Sequence, residues 1–266
     1  MGVSLESLGL ATLRFHWATI LGSAFTCNLI CRLSQALSPI LFPGTYPKLQ
    51  GSRRLNWDVH VVSSVHAVSI VCLSVPLLWN ESLLQDKIFG YDFHAGQVYA
   101  VACGYFLWDS IHSIRHFKDF GLGFVFHGLC SFGVFIFSFR PFLMYYGSVF
   151  LMFELSTPFL NIHWFMDKTG LTGTFFQLVN GIILLAVFLC ARIIFGVYMS
   201  YQTYISVTAV IDQVPTHLLV VYGVANIVLN TLNLYWFYKM IESLVKRFKP
   251  SKSRRTAAVS DKPKKA

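Results

Sequence analysis

Apolar residues in this chain come in long unbroken blocks. They show neither the alternation of a half-buried strand nor the narrow stripe of a surface helix. A helix needs about 20 mostly apolar residues to cross a bilayer, and seven blocks reach or approach that length: 8–33, 57–79, 97–114, 123–139, 142–165, 175–198 and 216–244. The fourth block is short, and Pro141 opens the fifth almost at once. That pair reads either as two spans or as a helical hairpin that does not cross fully. The pattern predicts an all-α polytopic membrane protein with about seven transmembrane helices. Residues 1–52 would hold the first helix and a linker, 53–248 about six helices, and 249–266 a disordered basic tail. No internal repeat is evident.

Composition sharpens this reading. The chain has 266 residues, of which 55% are hydrophobic and 12% charged, whereas a soluble domain carries about 25% charged residues. Half that amount argues against a soluble enzyme, a disordered chain and a secreted scaffold. The six cysteines all fall in apolar runs without zinc-like spacing and read as small buried hydrophobes. No cleavable signal peptide is expected, because the first block lacks a basic leader.

The net charge of +9 is concentrated at one end. Residues 246–266 hold nine of the 21 Lys and Arg against one acid, Asp261. Twelve basic against eleven acidic residues remain, so the body is nearly neutral and no nucleic-acid partner is expected. A basic tail belongs on the cytosolic side. With seven spans, the loops with Lys48, Arg53 and Arg54 and with Arg115 and Lys118 then fall on that side too. The acidic loop with Glu81, Asp86 and Asp92 falls on the lumenal side with the N-terminus, as does Asp212; Arg140 is the exception. Asn80-Glu81-Ser82 forms a lumenal sequon, though its closeness to a span end weighs against modification. The final Lys262-Pro263-Lys264-Lys265-Ala266 resembles a dilysine retrieval signal for the endoplasmic reticulum; the competing reading is a solvated tail on anionic lipid.

Polar groups inside spans are costly and usually face a cavity or a partner. Asp109, His112 and His116 are three and seven residues apart, on one helical face. His127 follows in the fourth block, and Glu154 and Asn161 share a face in the fifth, with Pro158 between them. The second block holds Asp58, His60 and His66; the seventh holds Tyr222, Asn226, Asn230 and Asn233. The simplest packing turns these stripes towards a central polar cavity. Interhelical hydrogen bonding is the bland reading for the asparagines, and an interfacial role for His60 and His163. A carboxylate near an imidazole in low dielectric is the sharper feature, since Asp109 can orient His127 for general-base or nucleophilic work. His112 and His116 could form a metal pair, but a single pair without further His-rich boxes predicts no metal centre.

These residues carry a resemblance. NWDVHVVSSVHA (56–67), GYFLWD (104–109), His127 with its neighbours, and ELSTPFLNIHWF (154–165) resemble the TLC-domain family of Tram, Lag and CLN proteins, nearest its small TLC-domain-containing branch. The resemblance implies endoplasmic-reticulum membranes and a barrel-like helical bundle around a lipid-accessible cavity. It also implies lipid partners, lipid metabolism or homeostasis, and kinship with ceramide synthases, which use acyl-CoA as donor. Those enzymes carry two adjacent histidines; His127 matches the first, Gly128 stands at the second, and Glu154 falls where their acidic motif ends.

The expected chemistry is acyl transfer. His127, Asp109 and Glu154 would be catalytic. His66, His112, His116, Asn161, Asn226 and Asn230 would contact substrate, and no cofactor would stay bound. The competing expectation is a non-catalytic lipid-binding protein that adjusts membrane composition or sorts cargo.

Overall fold

The computed structural model describes residues 9–248, and every described element is helical. The α-helices are α1 (Trp17–Leu41), α2 (Ser52–Ser74), α3 (Glu81–Gln85), α4 (Phe93–Arg115), α5 (Phe117–Phe120), α6 (Leu122–Phe137), α7 (Met144–Leu151), α8 (Thr157–Lys168), α9 (Phe175–Phe188), α10 (Gly196–Thr208) and α11 (Thr216–Phe248). Ser52–Trp79, Phe175–Thr208 and Thr216–Lys246 are each long and apolar enough to cross a membrane. Leu122–Phe137 is apolar but shorter, about 24 Å by its residue count against a hydrocarbon core of about 30 Å. Large apolar side chains such as Phe25, Phe176 and Ile227 stand outward all around the bundle, as a lipid-facing surface requires.

The long helices close into a ring. In turn, α1 packs on α4, α4 on α6, α6 on α11, α11 on α9, α9 on α8, α8 on α2, and α2 on α1. Helix α7 packs inward against α2, α4 and α10. Small residues on α4 make its close contacts possible. A Cβ on Gly104 would stand 2.3 Å from the Ile20 carbonyl oxygen of α1. Asp92 starts α4 by accepting the Ala95 N–H at 2.7 Å, and Asn80 starts α3 by accepting that of Leu83 at 3.1 Å.

Three segments depart from the apolar blocks. The first helix runs from Trp17 to Leu41, not over 8–33. At its start, buried His16 packs among Tyr91, Phe93 and Phe139, residues 13–15 form a 3₁₀ turn, and the Thr12 N–H and Oγ1 both donate to the Phe139 carbonyl, at 3.0 and 2.6 Å. At its end the helix continues because its polar residues are buried and satisfied. Ser34 donates to Asp58 at 2.6 Å, and the Trp57 indole donates to Ser38 at 3.0 Å. Tyr46, in the linker, also donates to Asp58 at 3.1 Å. Burial, and next the Asp58 charge, push the Tyr46 phenol up to about 12.

The fifth block is not one span. It consists of α7, a 3₁₀ segment over Met152–Ser156, and α8. Pro158 lacks the N–H that would bond the Glu154 carbonyl, and the Thr157 N–H takes its place. The sixth block extends to Thr208 rather than Tyr198, through a π-helical stretch at Leu189–Phe195 that joins α9 to α10.

Candidate functional site

A cavity of about 430 Å³ opens inside the bundle, bounded by α6, α7, the 3₁₀ segment, the π stretch, α10 and α11. Its long wall on α11 runs from Leu218 to Asn233, about 22 Å at a rise of about 1.5 Å per residue. One end is apolar, lined by Phe142, Leu143, Val207, Ile211 and Leu218. Leu143 takes a left-handed backbone conformation, with φ 55°, at the turn into α7. The other end is polar and carries His127, Glu154, Arg192, Asn230 and Asn233.

Arg192 organises the polar end. Sequence reasoning passed over it, although it is the sole Lys or Arg in the block 175–198. Its Nε donates to the Phe153 carbonyl at 2.9 Å and to Ser156 Oγ at 3.0 Å. Nη1 donates to Asn233 Oδ1 at 3.3 Å, and Nη2 to Thr157 Oγ1 at 3.1 Å. Nη2 also faces Glu154 Oε1 at 3.5 Å, which makes a buried ion pair. Two irregular segments therefore meet here. Non-helical backbone at membrane depth is tolerated where other groups satisfy it, and the guanidinium does so for the 3₁₀ segment.

His127 lines the cavity from α6, and its ring packs edge-on against Phe106 at 6.0 Å and Trp236 at 5.4 Å. Asn226 and Asn230 line the α11 wall. Both donate to Ser200 Oγ of α10, at 2.9 and 3.1 Å. Two buried amide atoms on this wall have no hydrogen-bond partner, Asn230 Oδ1 and Asn233 Nδ2.

The remaining candidates lie elsewhere. Asp109 is buried behind Gly128: a Cβ on that glycine would stand 2.7 Å from Ser110 Oγ and 3.2 Å from Asp109 Oδ2. Among the described residues, no hydrogen bond joins Asp109 to His127. At this level of α4 and α6, Gly128 rather than His127 faces Asp109. Asn161 ties α8 to α2, bonding His60 Nδ1 at 2.7 Å and donating to Ser63 Oγ at 3.2 Å. His112 stacks on Trp108 at 4.3 Å and lies 5.7 Å from the His116 ring, outside the cavity lining. His66 stacks on Tyr105 between α2 and α4, also outside it. The single central cavity expected to gather all the polar stripes is therefore divided.

Comparison with known proteins gives a consistent result. The TLC-domain profile matches residues 56–242. An uncharacterized TLC domain-containing protein of Schizosaccharomyces pombe is 44% identical, over 91% of this chain and 83% of its own length. Topoisomerase I damage affected protein 4 of Saccharomyces cerevisiae is 33% identical, over 74% of this chain and 72% of its own. TLC domain-containing protein 4-A of Xenopus laevis is 31% identical, over 80% and 86%. No solved structure matches the chain.

Proposed function

The chain belongs to the TLC-domain family of membrane proteins, and on that premise we propose that it binds an acylated lipid in the α6–α11 cavity and transfers its acyl group through His127. The observation that carries this reading is the two-ended cavity: one long apolar arm with His127, Glu154 and Arg192 at its far end. From Leu218 to Asn230, where the polar end begins, the arm is about 18 Å and accommodates an extended chain of roughly 14 carbons at about 1.3 Å per methylene. The thioester or ester head would lie at the polar end, beside Asn230 and Asn233.

In the transfer step, the unprotonated His127 nitrogen attacks the acyl carbonyl and the donor's thiolate or alkoxide leaves. The acyl group then passes from the ring to the hydroxyl or amine of an acceptor lipid, whose proton is carried off by the leaving group. Acyl-CoA is a suitable donor, with Arg53, Arg54, Arg115 and Lys118 as cytosolic anchors for its phosphates. Arg192 and Asn233 are placed to stabilise negative charge on the carbonyl oxygen. The proposed setting is the endoplasmic-reticulum membrane, with the N-terminus lumenal and the C-terminus cytosolic. The dilysine-like tail lies outside the described residues.

A second reading is favoured by two observations. Glu154 is occupied by Arg192 and Asp109 does not bond His127, so the cavity lacks a free base beside the imidazole. On this reading the protein holds and presents a lipid without changing it. Comparative lipidomics separates the two. Cells expressing His127→Ala should reproduce the lipid profile of a deletion, at wild-type protein level, if transfer is the function. A wild-type profile in that variant rejects transfer, and lipid still co-purifying with it supports holding.

A further inference from the structure

The first cavity, between α6 and α11, differs from a second of about 370 Å³ between α1 and α2, with which it shares no lining residue. Its apolar arm ends on a strained residue, Leu143. Separate parts of the chain meet at that end. Phe142 and Leu143 come from the turn into α7, Leu218 from the first turn of α11, Val214 from the segment before it, and Ile88 from the loop after α3. All five belong to one buried cluster, each at most 8% exposed. The Phe142 ring packs edge-on against Tyr222 of α11 at 5.2 Å and beside Phe89 at 6.2 Å. Tyr146 fastens α7 to α10 through Ser206 Oγ at 2.7 Å. The arm thus ends on packed apolar side chains.

The backbone of Leu143 is left-handed, with φ 55° and ψ 29°. It is the one non-glycine residue with positive φ among the described residues. A Cβ crowds the backbone there, whereas glycine takes the same conformation freely. The conformation is pinned from both sides. The Leu143 N–H donates to the Ile88 carbonyl at 2.7 Å, and its carbonyl accepts the Gly147 N–H at 2.9 Å, which begins α7. Strain of this kind persists where the surroundings over-determine it, and it gathers at functional sites. Glycine would serve this turn with less strain and would leave the arm deeper. Leucine instead sets an isobutyl group at the arm's end.

We propose that Leu143 is a specificity-determining residue, the stop that sets the length of acyl chain held in the first cavity. The proposal rests on the reading that this cavity holds an acyl chain. From Asn230 to Leu218 the arm takes roughly 14 carbons. Removing the isobutyl group opens about 3 Å more, room for roughly two further methylenes.

The test uses purified full-length protein incubated with an equimolar mixture of saturated acyl-CoAs of about 10 to about 20 carbons. Native mass spectrometry reads which chains are retained. The wild type should retain lengths centred near about 14 carbons. Leu143→Gly relieves the strained φ and should move the centre up by about two carbons. Leu143→Ala keeps the strain and should move it the same way, so the result does not hang on the folding of one variant. Ile88→Ala loosens the same cluster, but Ile88 does not line the cavity, so its chain lengths should match the wild type. Unchanged lengths in both Leu143 variants overturn the stop and leave chain binding standing. An equal shift in Ile88→Ala also overturns it, because a softened cluster would then set the length. A wild type that retains no chain overturns both the stop and the acyl reading beneath it.

Discussion

Gly128 lies directly against Asp109 and its neighbour Ser110, close enough that any side chain on it would overlap them. The missing side chain lets α4 and α6 approach closely at this level. Gly128→Ala should lower the thermal unfolding midpoint in detergent, with a cost of about 1–3 kcal/mol from overpacking. Ser110→Ala removes the nearest atom, so the double variant should recover much of the loss. A wild-type midpoint for Gly128→Ala alone would show that the helices separate freely.

Arg192→Met leaves Glu154 buried without its partner. Breaking such a pair costs about 3–5 kcal/mol, whereas replacing both members by apolar or neutral groups can be nearly neutral. Arg192→Met should therefore unfold at markedly lower temperature than the double variant Arg192→Met with Glu154→Gln. Equal midpoints for the two would mean that Glu154 is protonated or hydrated despite its burial.

Gly223 lines the first cavity, and a Cβ there meets nothing within 4 Å. Gly223→Leu should fold normally and shorten the apolar arm. Native mass spectrometry of the purified variant should then show co-purifying lipids with shorter acyl chains than the wild type retains. An unchanged chain-length distribution would place the chains elsewhere.

Asn161 bonds His60 and Ser63 and is not part of the cavity lining. Asn161→Ala should cost roughly 0.6–2 kcal/mol of stability, the range of interhelical hydrogen bonds in membranes. Retention of lipid in the first cavity should be unaltered. A selective loss of lipid at full stability would restore a substrate role for this residue.

The helical class was legible because long apolar blocks admit few other structures in a membrane. Helix ends were less so. By polarity Ser34 and Ser38 end the first block, yet both are buried and bonded to α2, a tertiary fact that no window along the chain contains. The break of the fifth block was only half legible: Pro158 marks it, but the 3₁₀ segment before it is bonded by Arg192, 36 positions from Ser156 and 39 from Phe153. Arg192 itself could have been found from the same principle that singled out Asp109 and Glu154, as a lone charge in an apolar block. Which carboxylate it would meet was beyond sequence, since that is settled by the facing of two irregular backbone segments. Asp109 and His127 meet at one level of α4 and α6, but Gly128 rather than His127 faces Asp109 there, and helical spacing within one helix does not give which residue of a second helix will face it.

The π-helical stretch at Leu189–Phe195 has one more consequence. Residues eight apart in a regular α-helix are about 80° out of line, while seven apart they are within about 20°. Arg192 and Ser200 are eight apart, and both line the first cavity. The wider turn takes up one residue and brings them into phase. The wall made by Ser200, Thr203, Tyr204 and Val207 thus owes its facing to a local unwinding several residues upstream. Deleting one residue between Arg192 and Ser200 would leave them seven apart in a regular helix, still within about 20° of line, so the wide turn works as a phase setting that absorbs one extra residue and keeps the wall on the cavity.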